Sequence, residues 1–131
     1  RKELMVTWIL WALILAMLAW MGFNYLRIRR AAKIVDNEEF EVLIRTGQLI
    51  DLRDPAEFHR KHILGARNIP SSQLKTSLAA LRKDKPVLLY ENQRAQRVTN
   101  AALYLKKQGF SEIYILSYGL DSWKGKVKIE K

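Results

Sequence analysis

The sequence contains no cysteine at all, only two histidines and three prolines, and 13 acidic residues against 23 lysines and arginines. Each shortage excludes something. Without a thiol the polypeptide forms no disulfide, presents no thiolate to a metal and has no sulfur nucleophile. His59 and His62 alone cannot complete the ligand set of a structural zinc site, so neither a metal nor a cofactor is expected. The scarcity of acid leaves a formal net charge of +10, which suits an anionic partner. The cations are scattered, and no nucleic-acid motif accompanies them, so the expected partner is an anionic membrane and not nucleic acid.

Charge is also missing locally. "LMVTWILWALILAMLAWMGFNYL", Leu4 to Leu26, is a run of 23 residues without a charged side chain. At about 1.5 Å rise per residue it reaches roughly 34 Å, enough to cross a hydrocarbon core of about 30 Å. Residues 1–26 therefore read as a transmembrane anchor that meets the bilayer through residues 4–26. A signal peptide has a shorter apolar region, about 7–15 residues, ending in a small-residue cleavage site. Trp8 and Trp11 toward one end, with Trp20 and Tyr25 toward the other, suit the two interfacial belts. Behind the run stand Arg27, Arg29, Arg30 and Lys33, with no acid before Asp36. These membrane-surface cations set an expected topology, single-pass in the cell membrane with the N-terminus outside and the C-terminal domain cytoplasmic. They also attract anionic lipid. Residues 27–36 read as a basic juxtamembrane linker, with 27–35 either a short linker or a continuation of the helix.

The remainder, residues 37–131, alternates strand and helix signals. Asp36 can cap a helix "NEEFEVLIR" that Gly47 ends. "QLIDL" reads as a buried strand, and Asp54-Pro55 opens a further helix, "AEFHRKH". "ARNIP" is a brief strand, and "QLKTSLAALRK" carries Leu74, Leu78 and Leu81 at helical spacing behind Ser71 or Ser72. "KPVLLYE" is an apolar run typical of a strand covered on both faces. A helix from Val98 to Gln108, a strand "EIYILS" and a short closing helix "GLDSWKG" follow. The fold class implied is α/β, a parallel sheet flanked by helices. Ligands of such sheets bind beyond the carboxyl ends of the strands.

One loop lies in that location. Glu91, Asn92, Gln93, Arg94, Ala95, Gln96 and Arg97 connect the apolar strand to the helix after it. A loop feeding a helix N-terminus turns backbone N–H groups toward one point, so its natural occupant is an anion. A cysteine at its head would be held there as a thiolate of depressed pKa. This loop has none.

At this point the residues resemble a known family, the rhodanese-like domains, over roughly Asn37 to Gly125. "LIDLRDPAEFHRKHILGARNIP" is similar to the family's strand, D-x-R, acidic helix and H-I-x-G-A-x-N-I-P segment, through Asp51, Arg53, Glu57, His62, Gly65, Ala66, Asn68 and Pro70. "YGLDSW" resembles its closing element through Gly119 and Trp123. The resemblance implies sulfur transfer through a cysteine persulfide, or phosphatase chemistry in related cell-cycle enzymes. The sequence departs from the pattern at the decisive place. Counted from Tyr90, Glu91 stands where the cysteine belongs; counted back from Arg97, Asn92 does. Neither forms a persulfide or thiophosphate intermediate.

The chain is thus expected to be a membrane-anchored bacterial rhodanese-like domain without catalytic residues. Its loop 91–97 would be a vestigial active site filled from within, Glu91 accepting N–H groups and pairing with Arg94 or Arg97. Asp51, Arg53 and His62 would line or brace that loop. The expected role is a protein-interaction or regulatory module for a membrane-protein or cytosolic partner. Two alternatives stand beside it: a sensor of a phosphate- or sulfate-type anion, and a cysteine-independent enzyme using Glu91 and Arg97, with His62 as a second titratable group.

Overall fold

The computed structural model describes residues 1–93 and 96–129, which divide into two compact units, residues 1–30 and the segment from residue 31 onward. The first unit is helix α1, Lys2–Ala31. It is long and apolar enough to cross a membrane. Of the two readings of the segment after the apolar run, the helical continuation holds as far as Ala31, and residues 33–35, expected within the linker, form a strand. Arg27, Arg29 and Arg30 accordingly lie on helix, and Arg29 donates to the Tyr25 hydroxyl one turn back, at 3.1 Å.

The second unit is built on a five-stranded sheet in which every neighbouring pair is parallel. Its strands are β1 (Lys33–Val35), β2 (Gln48–Asp51), β4 (Arg67–Asn68), β5 (Val87–Tyr90) and β6 (Ile113–Leu116), in the spatial order β1-β6-β5-β2-β4. A separate antiparallel pair joins β3 (Lys61–Ile63) to β7 (Val127–Ile129). The helices are α2 (Asn37–Ile44), α3 (Pro55–Arg60) and α4 (Gln96–Lys107).

The apolar run of β5 is buried on both faces, as its lack of alternation implied. Val87 and Leu89 face a core with Ile50, Ile113, Ile115 and, from α4, Val98, Ala102 and Leu105. Leu88 and Tyr90 point the other way, among Val35, Phe40, Leu49 and Leu116. This two-residue period divides the interior into two layers with the sheet between them. Helix α2 starts as its sequence suggested: Asp36 accepts the Glu39 amide at 2.9 Å. Helix α4 is followed by Gly109 at φ +98°, a conformation that favours glycine.

Three local expectations differ from the structure. β1 joins the sheet because Val35, 2% exposed, completes the layer around Phe40 and covers an otherwise open edge of β6. The segment after Pro70, expected as one helix, is two successive 3-10 turns, Ser71–Gln73 and Lys75–Ala80. Its hydroxyl residues compete for the backbone, and Thr76 donates to the Gln73 carbonyl at 2.9 Å. Helix α3 stops at Arg60 because the next three residues are drawn into pairing with β7, whose signal was too short to read.

Candidate functional site

The carboxyl ends of β2 and β5 lie side by side, with Asp51 in register with Tyr90. Both residues are fully buried, and neither is apolar at its tip. Burial demands partners for those tips. The Tyr90 hydroxyl donates to Asp51 Oδ2 at 2.7 Å and accepts the Ile63 amide at 3.1 Å. Burial first, then the charge and hydrogen bond of Asp51, raise the Tyr90 phenol well above its ordinary value.

Arg53, 5% exposed, completes the knot. Its Nη2 donates to Asp51 Oδ2 at 2.8 Å and to the Lys61 carbonyl, while its Nε reaches Asp51 Oδ1 at 3.0 Å. Desolvation lowers the arginine's pKa, but the hydrogen bond and charge of Asp51, aided by Tyr90 and Glu57, outweigh it and hold the pKa above the usual value. Nη1 donates to Asn92 Oδ1 at 2.9 Å, and Asn92 Nδ2 donates to Glu57 at 2.9 Å. Asp51 and Arg53 thus reach the loop through Asn92. Asn68 donates to the Asp51 and Arg53 carbonyls at 3.1 and 2.9 Å, tying in the end of β4.

Glu91 behaves differently from its neighbour. Its carboxylate is buried and accepts the Val98 amide, in the first turn of α4, at 2.9 Å. Arg97 Nε stands 3.5 Å from the other oxygen, with the arginine side chain 43% exposed. Arg94 and Ala95, expected within the loop, lie outside the described residues. Gln93 and Gln96 are exposed, the first 3.4 Å from Asp121 and the second donating to Asn100 at 2.8 Å.

The backbone at Glu91 and Asn92 is held by the closing segment. The Leu120 amide donates to the Glu91 carbonyl at 2.8 Å and the Asp121 amide to the Asn92 carbonyl at 3.0 Å. Gly119, at φ +71°, lets the two segments approach: a Cβ there would stand 2.4 Å from the Asn92 carbonyl oxygen. Trp123 anchors the segment edge-on against Phe40, ring centroids 5.8 Å apart. His62 is placed apart from the loop carboxylate. Its Nδ1 bonds the Phe58 carbonyl at 2.8 Å and its ring stacks on Phe58 at 3.8 Å. Among the described residues no three acids or histidines are grouped to hold a metal ion. An open cavity of about 490 Å³ lies over Asn92 and Arg53, rimmed by Glu57, Arg60, Lys61 and Asp121.

Sequence reasoning gave no role to Tyr90. The signal was available: alternation along β5 puts it on the buried face, where a hydroxyl needs a partner.

Comparison with known proteins decides the family. The rhodanese-like domain model matches residues 36–126. This chain belongs to the rhodanese-like domain family. Among its relatives, the uncharacterized protein YqhL of Bacillus subtilis is 47% identical over 116 residues, 88% of this chain and 91% of that one. The thiosulfate sulfurtransferase GlpE of Stutzerimonas stutzeri is 37% identical over 78 residues, 58% of this chain and 69% of the other. A rhodanese-related protein from Thermoplasma volcanium shares the fold, with a TM-score of 0.67 at 24% identity, over 75% of this chain and 99% of that structure. This rhodanese-like domain contains no cysteine, and the Glu91 carboxylate at the head of its loop accepts an amide of α4.

Proposed function

We propose that this chain is a membrane-anchored, catalytically inactive rhodanese-like domain that acts as a protein-interaction or regulatory module at the cytoplasmic face of the membrane. The observation that carries the reading is Glu91, a buried carboxylate that accepts the Val98 amide at 2.9 Å and stands 3.5 Å from Arg97. In this reading Glu91, and not Asn92, takes the place of the family's cysteine, because Asn92 is committed to Arg53 and Glu57. A fixed internal anion satisfies the amide that would otherwise steady a thiolate or bound oxyanion. A carboxylate is also a poor acceptor of sulfane sulfur, since it lacks a polarizable atom that can attack and leave at neutral pH.

The apolar α1 supports the anchor, and the cations behind its apolar run support the cytoplasmic orientation. The test is turnover. Purified full-length protein should release no thiocyanate from thiosulfate and cyanide above buffer, and should hydrolyse no aryl phosphate. Turnover that Glu91→Gln abolishes would replace this reading with a cysteine-independent enzyme.

A further inference from the structure

Arg97 also lines a second hollow, of about 430 Å³, between the first turns of α4 and the 3-10 segment after Pro70. Among the described residues two cations, Lys75 and Arg97, line it and no acid does. Among the described residues Lys75 has no carboxylate partner; its Nζ stands 5.6 Å over the Tyr104 ring. Arg97 stands 3.5 Å from Glu91 through Nε, and its side chain is 43% exposed, within reach of another acceptor. The Ser71 and Ser72 hydroxyls and the Asn100 Nδ2 make no hydrogen bond to the described residues. The rest of the wall is apolar, formed by Leu74, Ala101 and Tyr104.

We propose that this hollow is the docking surface for an acidic segment of a partner protein. One carboxylate of that segment pairs with Arg97 and Lys75, and a neighbouring aromatic or aliphatic side chain covers Leu74, Ala101 and Tyr104. The sign of the partner's charge follows from the lining. Its size follows from the volume: the hollow holds roughly fourteen waters at about 30 Å³ each, so a lone oxyanion would leave the apolar wall wet. Arginine's fork suits the two oxygens of a carboxylate, and lysine adds a point charge. The proposal rests on the interaction-module reading and supplies the face through which the module works.

The experiment uses the full-length chain in nanodiscs of neutral lipid. The probe is a tetramethylrhodamine-labelled peptide, Gly-Phe-Glu-Asp-Leu-Gly, followed by fluorescence anisotropy. Binding should weaken about tenfold or more in Lys75→Glu and survive in Lys75→Arg. Lys128→Glu on β7 changes net charge equally and should alter binding less than about twofold. Lys75 is exposed, and thermal melts of the three variants verify that each is folded. Absence of peptide binding overturns the proposal. So does an equal loss in Lys75→Glu and Lys128→Glu, which would mean diffuse attraction to a basic protein. Displacement of the peptide by inorganic phosphate at similar concentration would make this a small-anion site. Lys75-dependent capture by phosphatidylserine vesicles without peptide binding would make it a lipid site. Any of these leaves catalytic inactivity standing, because only turnover refutes that reading.

Discussion

Replacing Glu91 separates an internal anion from a merely tolerated substitution. Glu91→Ala removes the acceptor of the Val98 amide, which belongs to a residue 0% exposed. Stranding a buried donor costs about 1–3 kcal/mol. The ion pair adds little, about 1 kcal/mol at most, because Arg97 is 43% exposed and solvent screens it. The expected loss is therefore about 1–4 kcal/mol, and for a domain of about 100 residues that lowers the melting temperature by about 4–30 °C. Glu91→Gln keeps an oxygen in place and forfeits only charge, so its melt should fall by about 5 °C or less. The assay is circular dichroism of detergent-solubilised protein heated at neutral pH, following the α/β domain's transition. A Glu91→Ala melt within about 2 °C of wild type, or a variant more stable than wild type, would show that the carboxylate is not filling the amide cradle.

Other outcomes follow from the same geometry. Arg53→Met strands the fully buried Asp51 carboxylate and should cost about 3–5 kcal/mol, seen as loss of soluble fold or a large drop in the urea midpoint. The Tyr90 phenol is raised by folding, so its contribution is complete below the unfolded tyrosine value of about 10 and is lost as pH rises beyond it. Stability should thus decline above about pH 10, and Tyr90→Phe, less stable at neutral pH, should decline less steeply. Gly119→Ala drives a methyl into the Asn92 backbone and should loosen its contact with the closing segment, read as faster amide exchange at Leu120 and Asp121. A thiol introduced by Glu91→Cys should react with iodoacetamide with a pKa below the free value of about 8.5, whereas Asn92→Cys should not.

What could be read in advance was whatever is periodic or local. The two-sided burial of "VLLY", the Asp36 cap and the glycine after α4 are written in neighbouring residues. Glu91's turn toward α4 was inferable because an anion at the head of such a loop has few other places to go. Contacts between distant residues were not legible. Tyr90 with Asp51, and Asn92 with Glu57, are separated by 39 and 35 positions, and nothing in either neighbourhood specifies the other. β1 and β7 were missed for a different reason: three residues are too few to show a period, and each exists only because a partner strand offers an edge. The turns after Pro70 misled because leucines at helical spacing also satisfy a tighter helix.

The attachment of β1 has a mechanical consequence. A single residue, Ala32, separates the end of α1 from a strand that, among the described residues, pairs only with β6, some eighty positions later, in the register Lys33 to Tyr114. There is no slack to absorb tension. A pull transmitted along the backbone from the N-terminal helix would load the ladder between β1 and β6 before any other part of the sheet, so peeling of this strand is the first event under force. Single-molecule stretching should record it as a short, early extension ahead of the main rupture.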